Sequence, residues 1–173
     1  MKKYVFKPYN QKFPNLFEKE KNRISSHSKI KLHIEHVGST AVPGLGGKGI
    51  IDIAIAVNEN EIDSLSKHLQ DLGYEFRENG STPNRLFFRI DLPDLDEGKR
   101  RYHAHLLCIG NKEWEDLLAF RDYLTNHPEE AKKYEDLKKK ASVEVEEDGA
   151  KYRELKDPLF KQILKQIKEE FTS

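Results

Sequence analysis

Residues 50–57, IIDIAIAV, constrain this chain more than any other stretch. Successive side chains of a strand leave opposite faces. Ile51, Ile53, Ile55 and Val57 then form one continuous branched surface suited to burial under helices. Ile50, Asp52, Ala54 and Ala56 form a smaller-residue face carrying a single carboxylate. Burying an unpaired carboxylate is costly, so Asp52 requires a partner: a metal ion beside a phosphate, the Lys48 ammonium, or an arginine. Just upstream, residues 31–37 read as a second strand, with Leu32, Ile34 and His36 on one face and His33, Glu35 and Val37 on the other. Gly38-Ser39 and a glycine-rich loop ending at Gly49 join the two, with one helical turn expected at residues 42–45.

The rest of the chain alternates helix and strand. A short extended lead-in at residues 4–9 precedes a helix over 14–27, striped by Leu16, Phe17 and Ile24. Ile62, Leu65, Leu69 and Leu72 mark an amphipathic helix over 61–72, stopped by Gly73. A short strand at 74–77 and a loop at 79–84 follow. Residues 85–92 form a strand with Phe87, Arg89 and Asp91 on one face. A polar, mobile hairpin tip is expected at 93–101, then a last strand over 102–109 with His103, His105, Leu107 and Ile109 on a common face. From Lys112 onward the pattern is helical. Pro128 with Glu129-Glu130 starts a helix well, with Glu129–Lys133 and Glu135–Lys139 as (i, i+4) pairs. The charge run at 129–140 reads as a solvated face. After a polar bend, residues 149–171 are helical again, and Asp157-Pro158 should kink that helix or cap a new one.

Composition narrows the function classes. Thirty basic and thirty acidic side chains cancel, which argues against a general nucleic-acid or anionic-membrane binder, although a local basic patch is compatible with it. No apolar run approaches the roughly 20 residues that span a bilayer. Cys108 is the single cysteine, so no intrachain disulfide forms, and with no apolar leader after Met1 a cytoplasmic location is expected.

The candidate chemistry centres on the loop and the two strands after it. Gly38-Ser39 suits a phosphate cradle of backbone N–H groups and the Ser39 or Thr40 hydroxyl; the alternative is a tight turn that needs no Cβ. Gly46-Gly47-Lys48-Gly49 is not a P-loop, because Val42 and Gly49 occupy the required Gly and Ser/Thr positions. Lys48 either pairs with a phosphate or is an exposed loop lysine. Asp52 is the leading candidate, as a ligand for Mg²⁺ or Mn²⁺. Two-metal catalysis needs more carboxylates, and only Asp91 and Glu35 are on offer. His103 and His105 leave one strand face and are candidates for proton transfer or metal binding; buried, hydrogen-bonded histidines are the alternative. Arg85 and Arg89 can grip a phosphate or carboxylate, or pair with a neighbouring strand.

A strand, a Gly-Ser turn and a second strand bearing an acid resemble the opening of the nucleotidyltransferase fold. Twelve residues, Thr40 to Ile51, separate Ser39 from Asp52, which fits that pattern, but Ala54 stands where its second acid belongs. HVGSTAVPGL, KGIIDI, the HAH strand, EWEDLLAFRDYLTNHP and a helix with Tyr152, Lys156 and Phe160 together resemble the GrpB family over nearly the whole chain. The resemblance implies an α+β, nucleotidyltransferase-like single domain: a mixed, mostly antiparallel sheet flanked by helices (about 1–110) with a helical C-terminal part (about 112–173). It carries over Asp52 and no second strand acid. Two functions are then open. One is a metal-dependent nucleotidyltransferase-like enzyme acting on a nucleotide or phosphorylated small molecule, with Gly38, Ser39, Thr40, Lys48 and Arg89 on the phosphate, Asp52 on the metal, and His103 and His105 assisting. The other, favoured by Ala54, is a non-catalytic ligand- or partner-binding module.

Overall fold

The computed structural model describes residues 5–144 and 149–172. Tyr4 of the lead-in and the polar bend before the last helix lie outside them. Helix α1 (Phe13–Ser26), with Pro14 in its first turn, buries Phe13, Phe17, Glu20 and Ile24. Strands β1 (His33–Val37), β2 (Ile51–Val57), β3 (Glu75–Phe76), β4 (Arg85–Asp94) and β5 (Gly98–Cys108) form one sheet in the order β1-β2-β5-β4-β3. The β2–β5 pair is parallel and the other three pairs are antiparallel. Helix α2 (Ile62–Asp71) links β2 to β3 and ends before Gly73, whose φ of 99° only glycine adopts freely. Helices α3 (Lys112–Asn126), α4 (Pro128–Glu144) and α5 (Gly149–Thr172) complete the α+β architecture.

Two apolar clusters set the layers. Ile51, Ile53, Ile55 and Val57 pack with Phe88, Ala104 and Leu106 against Phe17 and Ile24 of α1 and Leu65 and Leu69 of α2. Full burial of each such side chain contributes about 1.5–3 kcal/mol. The second cluster joins Val42 and Leu45 of the glycine-rich loop to Phe120, Leu124, Ala131, Tyr134, Ile163 and Ile167 of the C-terminal helices. Those helices are therefore docked on the loop, and the Asp52 face of the sheet opens between the two layers.

Several expectations change. The expected mobile tip is an ordered ladder: Pro93 faces Lys99 and Asp94 faces Gly98, and the buried Arg100 guanidinium donates to Asp94 at 2.8 Å. The helical turn lies at residues 39–41, before the expected place, and residues 42–45 close a turn through Leu45 N–H to Val42 O. Helix α5 runs through Pro158 as one helix, so no new helix is capped there. In α4 the pairs run instead Lys133–Glu130, Lys132–Glu135 and Lys132–Asp136, and Glu135 also accepts from Gly46 N–H. No helix among the described residues is long and apolar enough to cross a membrane.

Candidate functional site

Strand register assembles the centre of the site. Across the parallel pair Asp52 faces His103 and Ala54 faces His105, all four on the face away from the α1–α2 layer. His105 Nε2 lies 3.2 Å from Asp52 Oδ1, and His103 Nδ1 lies 3.4 Å from the same oxygen. Burial pushes the Asp52 carboxyl up, but the two imidazole hydrogen bonds and their charge outweigh it and hold it well below the ordinary carboxylate range. Burial pushes His105 down, against the pull of Asp52. His105 Nε2 faces the Asp52 carboxylate, and its buried Nδ1 has no partner among the described residues. His103 Nε2 makes no hydrogen bond among the described residues, and the side chain is 21% exposed, so solvent reaches the ring. The Phe87 ring packs edge-on to His103, with centroids 4.8 Å apart.

The glycines allow close approach. Gly38 has φ of 75°, and a Cβ there would stand 2.5 Å from Asp52 Oδ2. Ser39, in the following turn, lines the cleft with Gly38. Thr40 does not: it is buried, accepts from His36 Nε2 at 2.9 Å and donates to Ile50 O at 3.0 Å. The expected Thr40 phosphate contact is thus replaced by a structural bond tying the turn to Ile50, the residue before β2. Beyond it the loop is gripped from several sides. Lys138 donates to Gly46 O at 2.8 Å, Glu135 accepts from Gly46 N–H at 2.9 Å, and Arg100 donates to Gly49 O at 2.9 Å.

Lys48 is a cleft residue rather than an exposed loop lysine, with its ammonium 4.5 Å from the centre of the Tyr152 ring. Burial, then the Lys156 charge, lowers it to about 8. Lys138 is lowered to about 7 by burial and by Lys156 and Lys48. Arg89 lines the cleft but is paired with Glu75 at 3.1 Å on the neighbouring strand. Arg85 and Arg101 line it as well, paired with Glu113 and Asp91. Arg121 instead docks α3 onto β1 through Glu35 and His36 O.

Sequence reasoning missed Lys138, Arg101 and Arg153. The charge run at 129–140 predicts a solvated face for Lys138, yet it is 5% exposed. Its signal was periodicity: Ala131, Tyr134, Lys138 and Ala141 recur at helical spacing, and all four are buried.

Together these side chains enclose a cleft of about 710 Å³ between the sheet and the C-terminal helices. Eight cationic side chains line it against two acidic ones, Asp52 and Asp157. A divalent ion does not fit the donors in place. Asp91 and Glu35 are engaged by Arg101 and Arg121, both imidazoles point at one Asp52 oxygen, and among the described residues no three His, Cys, Asp or Glu groups are disposed to hold a metal.

Comparison with known proteins gives one consistent result. The pattern defining the family described as GrpB protein matches residues 3–166. A UPF0157 protein of Pseudomonas aeruginosa is 36% identical over 91% of this chain, and the UPF0157 protein YqkA of Bacillus subtilis is 33% identical over 88% of it. The chain spans 64% and 44% of the lengths of those two relatives. The crystal structure of the conserved protein GrpB from Enterococcus faecalis superimposes with a TM-score of 0.83 at 28% identity, over 98% of this chain and all of that one.

Proposed function

The chain belongs to the GrpB family, and from that premise and the charge of its cleft we propose that it binds a phosphorylated small molecule, a nucleotide first among them, between the sheet and the C-terminal helices. One observation carries the reading. Charges cancel over the whole chain, yet eight cationic and two acidic side chains meet in one cleft around Gly38-Ser39. Such a concentration in a recessed, low-dielectric wall focuses anion attraction, and guanidinium and ammonium groups are the donors phosphate selects. The test is titration of the full chain with inorganic phosphate and with ATP, followed by backbone amide shifts. Saturable shifts across residues 38–40 are expected; silence there counts against the site.

A second reading, catalysis at the same cleft, is favoured by the Asp52–His103 contact. Asp52 fixes His103 with Nδ1 toward the carboxylate, which leaves Nε2 as the basic atom facing solvent. In transfer to a hydroxyl acceptor, Nε2 takes the acceptor's proton as its oxygen bonds phosphorus and the leaving oxygen departs with its electron pair. His105, whose Nδ1 is buried, positions Asp52. Nucleotide turnover by the parent, abolished in His103→Gln with binding retained, supports catalysis. Saturable binding without turnover, in chelator and in Mg²⁺ or Mn²⁺ alike, leaves the binding module.

A further inference from the structure

The two walls of the cleft carry their positive charge in different states. On the β4 side the guanidinium groups are already answered by carboxylates: Arg77 and Arg89 by Glu75, Arg85 by Glu113, Arg101 by Asp91. On the helical side Lys138, Arg153 and Lys156 line the cleft, and among the described residues no carboxylate lies within ion-pair distance of these three. Lys138 donates instead to a neutral carbonyl, with its ammonium 4.8 Å from the Tyr134 ring centre. Lys48 comes from the loop onto the Tyr152 ring. Gathering cationic groups in a recess lined by two carboxylates, Asp52 and Asp157, opposes folding, and an arriving anion offsets it.

The Ser39 hydroxyl belongs to the same recess. A Cβ on Gly47 would lie 2.6 Å from Ser39 Oγ and 2.8 Å from Lys138 Nζ. Hydroxyl and ammonium therefore flank one glycine, and its bare Cα leaves the room between them.

We propose that Ser39, Lys48, Lys138, Arg153 and Lys156 form a subsite for the outer phosphates of a polyphosphate chain, so that the ligand carries at least two phosphate groups in series. The first of these phosphates lies at the Gly38-Ser39 turn and the chain runs from it toward α4 and α5. This rests on the phosphate reading of the cleft and adds the ligand's length and charge and the elements that select for them.

Calorimetric titration of the full chain with inorganic phosphate, pyrophosphate and tripolyphosphate at matched ionic strength tests it. In the parent, affinity should climb about tenfold or more from phosphate to tripolyphosphate. Lys156 is half-buried and Arg153 exposed, so Lys156→Gln and Arg153→Gln keep the fold. Each should lower tripolyphosphate affinity about tenfold, the scale of one lost charge-assisted contact, with phosphate affinity held within about twofold. Lys165→Gln, an equal charge change at an exposed position of α5, should leave the climb intact. A parent that binds tripolyphosphate no tighter than phosphate, or a climb that all three variants share equally, overturns the subsite while the phosphate reading stands. No binding of any of the three anions overturns both.

Discussion

Ala54 and His105 are register partners across the parallel β2–β5 pair. Because residue 54 presents only a methyl group, the imidazole opposite it is free to reach Asp52, two residues back along β2, at 3.2 Å. The position where an acid-hydrophobe-acid strand would carry its second carboxylate is here the space that couples a histidine to the first.

Ala54→Leu should close that space. The position is fully buried, so overpacking costs about 1–3 kcal/mol. The displaced imidazole should also release Asp52 toward the ordinary carboxylate range. Urea denaturation and carboxyl NMR titration read both effects. An unchanged Asp52 titration in a folded Ala54→Leu protein would show that His105 does not hold it.

Asp52→Asn removes the charge both imidazoles address. Stability at neutral pH should fall by about 1.5–3 kcal/mol, the worth of hydrogen bonds to a charged group. The folded Asp52 pKa is depressed, so its contribution is present above the unfolded value, near 4, and is lost as pH falls through the lower folded value. The parent should therefore steepen its acid loss below pH about 4 while Asp52→Asn does not. Mg²⁺ or Mn²⁺ should leave the parent's melting point where chelator leaves it. A metal-dependent rise seen in the parent and absent in Asp52→Asn would return Asp52 to the role of metal ligand.

Gly38→Ala and Gly44→Ala form a matched pair. Both glycines have positive φ, 75° and 81°, but a Cβ meets Asp52 Oδ2 at 2.5 Å in the first and nothing within 4 Å in the second. Backbone strain costs on the order of 1–3 kcal/mol at such positions, and it adds to the contact at Gly38, whose ψ of −173° puts it in a region that only glycine enters readily. Thermal melts should show that loss for Gly44→Ala and a clearly larger one for Gly38→Ala, with phosphate shifts at residues 38–40 lost in the latter only. Equal losses would mean that the carboxylate moves aside freely.

His36 stacks on Phe17 at 4.7 Å, and burial, with help from the Arg121 charge and against Asp52, lowers it to about 4. The unfolded chain takes up this proton near pH 6.5 and the folded one only near 4. The stabilisation is therefore complete above about 6.5 and lost as pH falls through that window. Denaturation series from pH 7 to 4 should be flatter for His36→Gln than for the parent. Parallel slopes would show that another group carries the dependence.

The sheet was legible because period-two alternation survives in β2, β4 and β5, and it put His103 and His105 on one face of β5 and Asp52 on the small-residue face of β2; that β2 and β5 are neighbours follows from the pairing, not from alternation. Ser39 and Lys48 were legible through the glycine run. The opposite wall was not. Lys138 sits in a run of charges whose composition says surface, and only its place on the Ala131–Tyr134–Ala141 stripe says otherwise. Thr40 misled for a related reason: a hydroxyl beside a Gly-Ser turn suits either a ligand or a backbone carbonyl, and the choice depends on His36 and Ile50. The hairpin tip was misread because its polar residues are paired with each other: Arg100 with Asp94 inside, Lys7 and Lys12 with Glu97 and Asp96 outside.

The grip of α4 on Gly46 also sets an order in time. Every strand among the described residues lies within residues 33–108, whereas the groups that hold Gly46 arrive at positions 135 and 138. Contacts so distant in sequence close late, after the local ones have formed. A growing chain can thus complete its sheet, with Asp52 already beside its histidines, while the loop around Gly46 is still unset. On the proposed phosphate reading, competence to bind arrives only with the last helices.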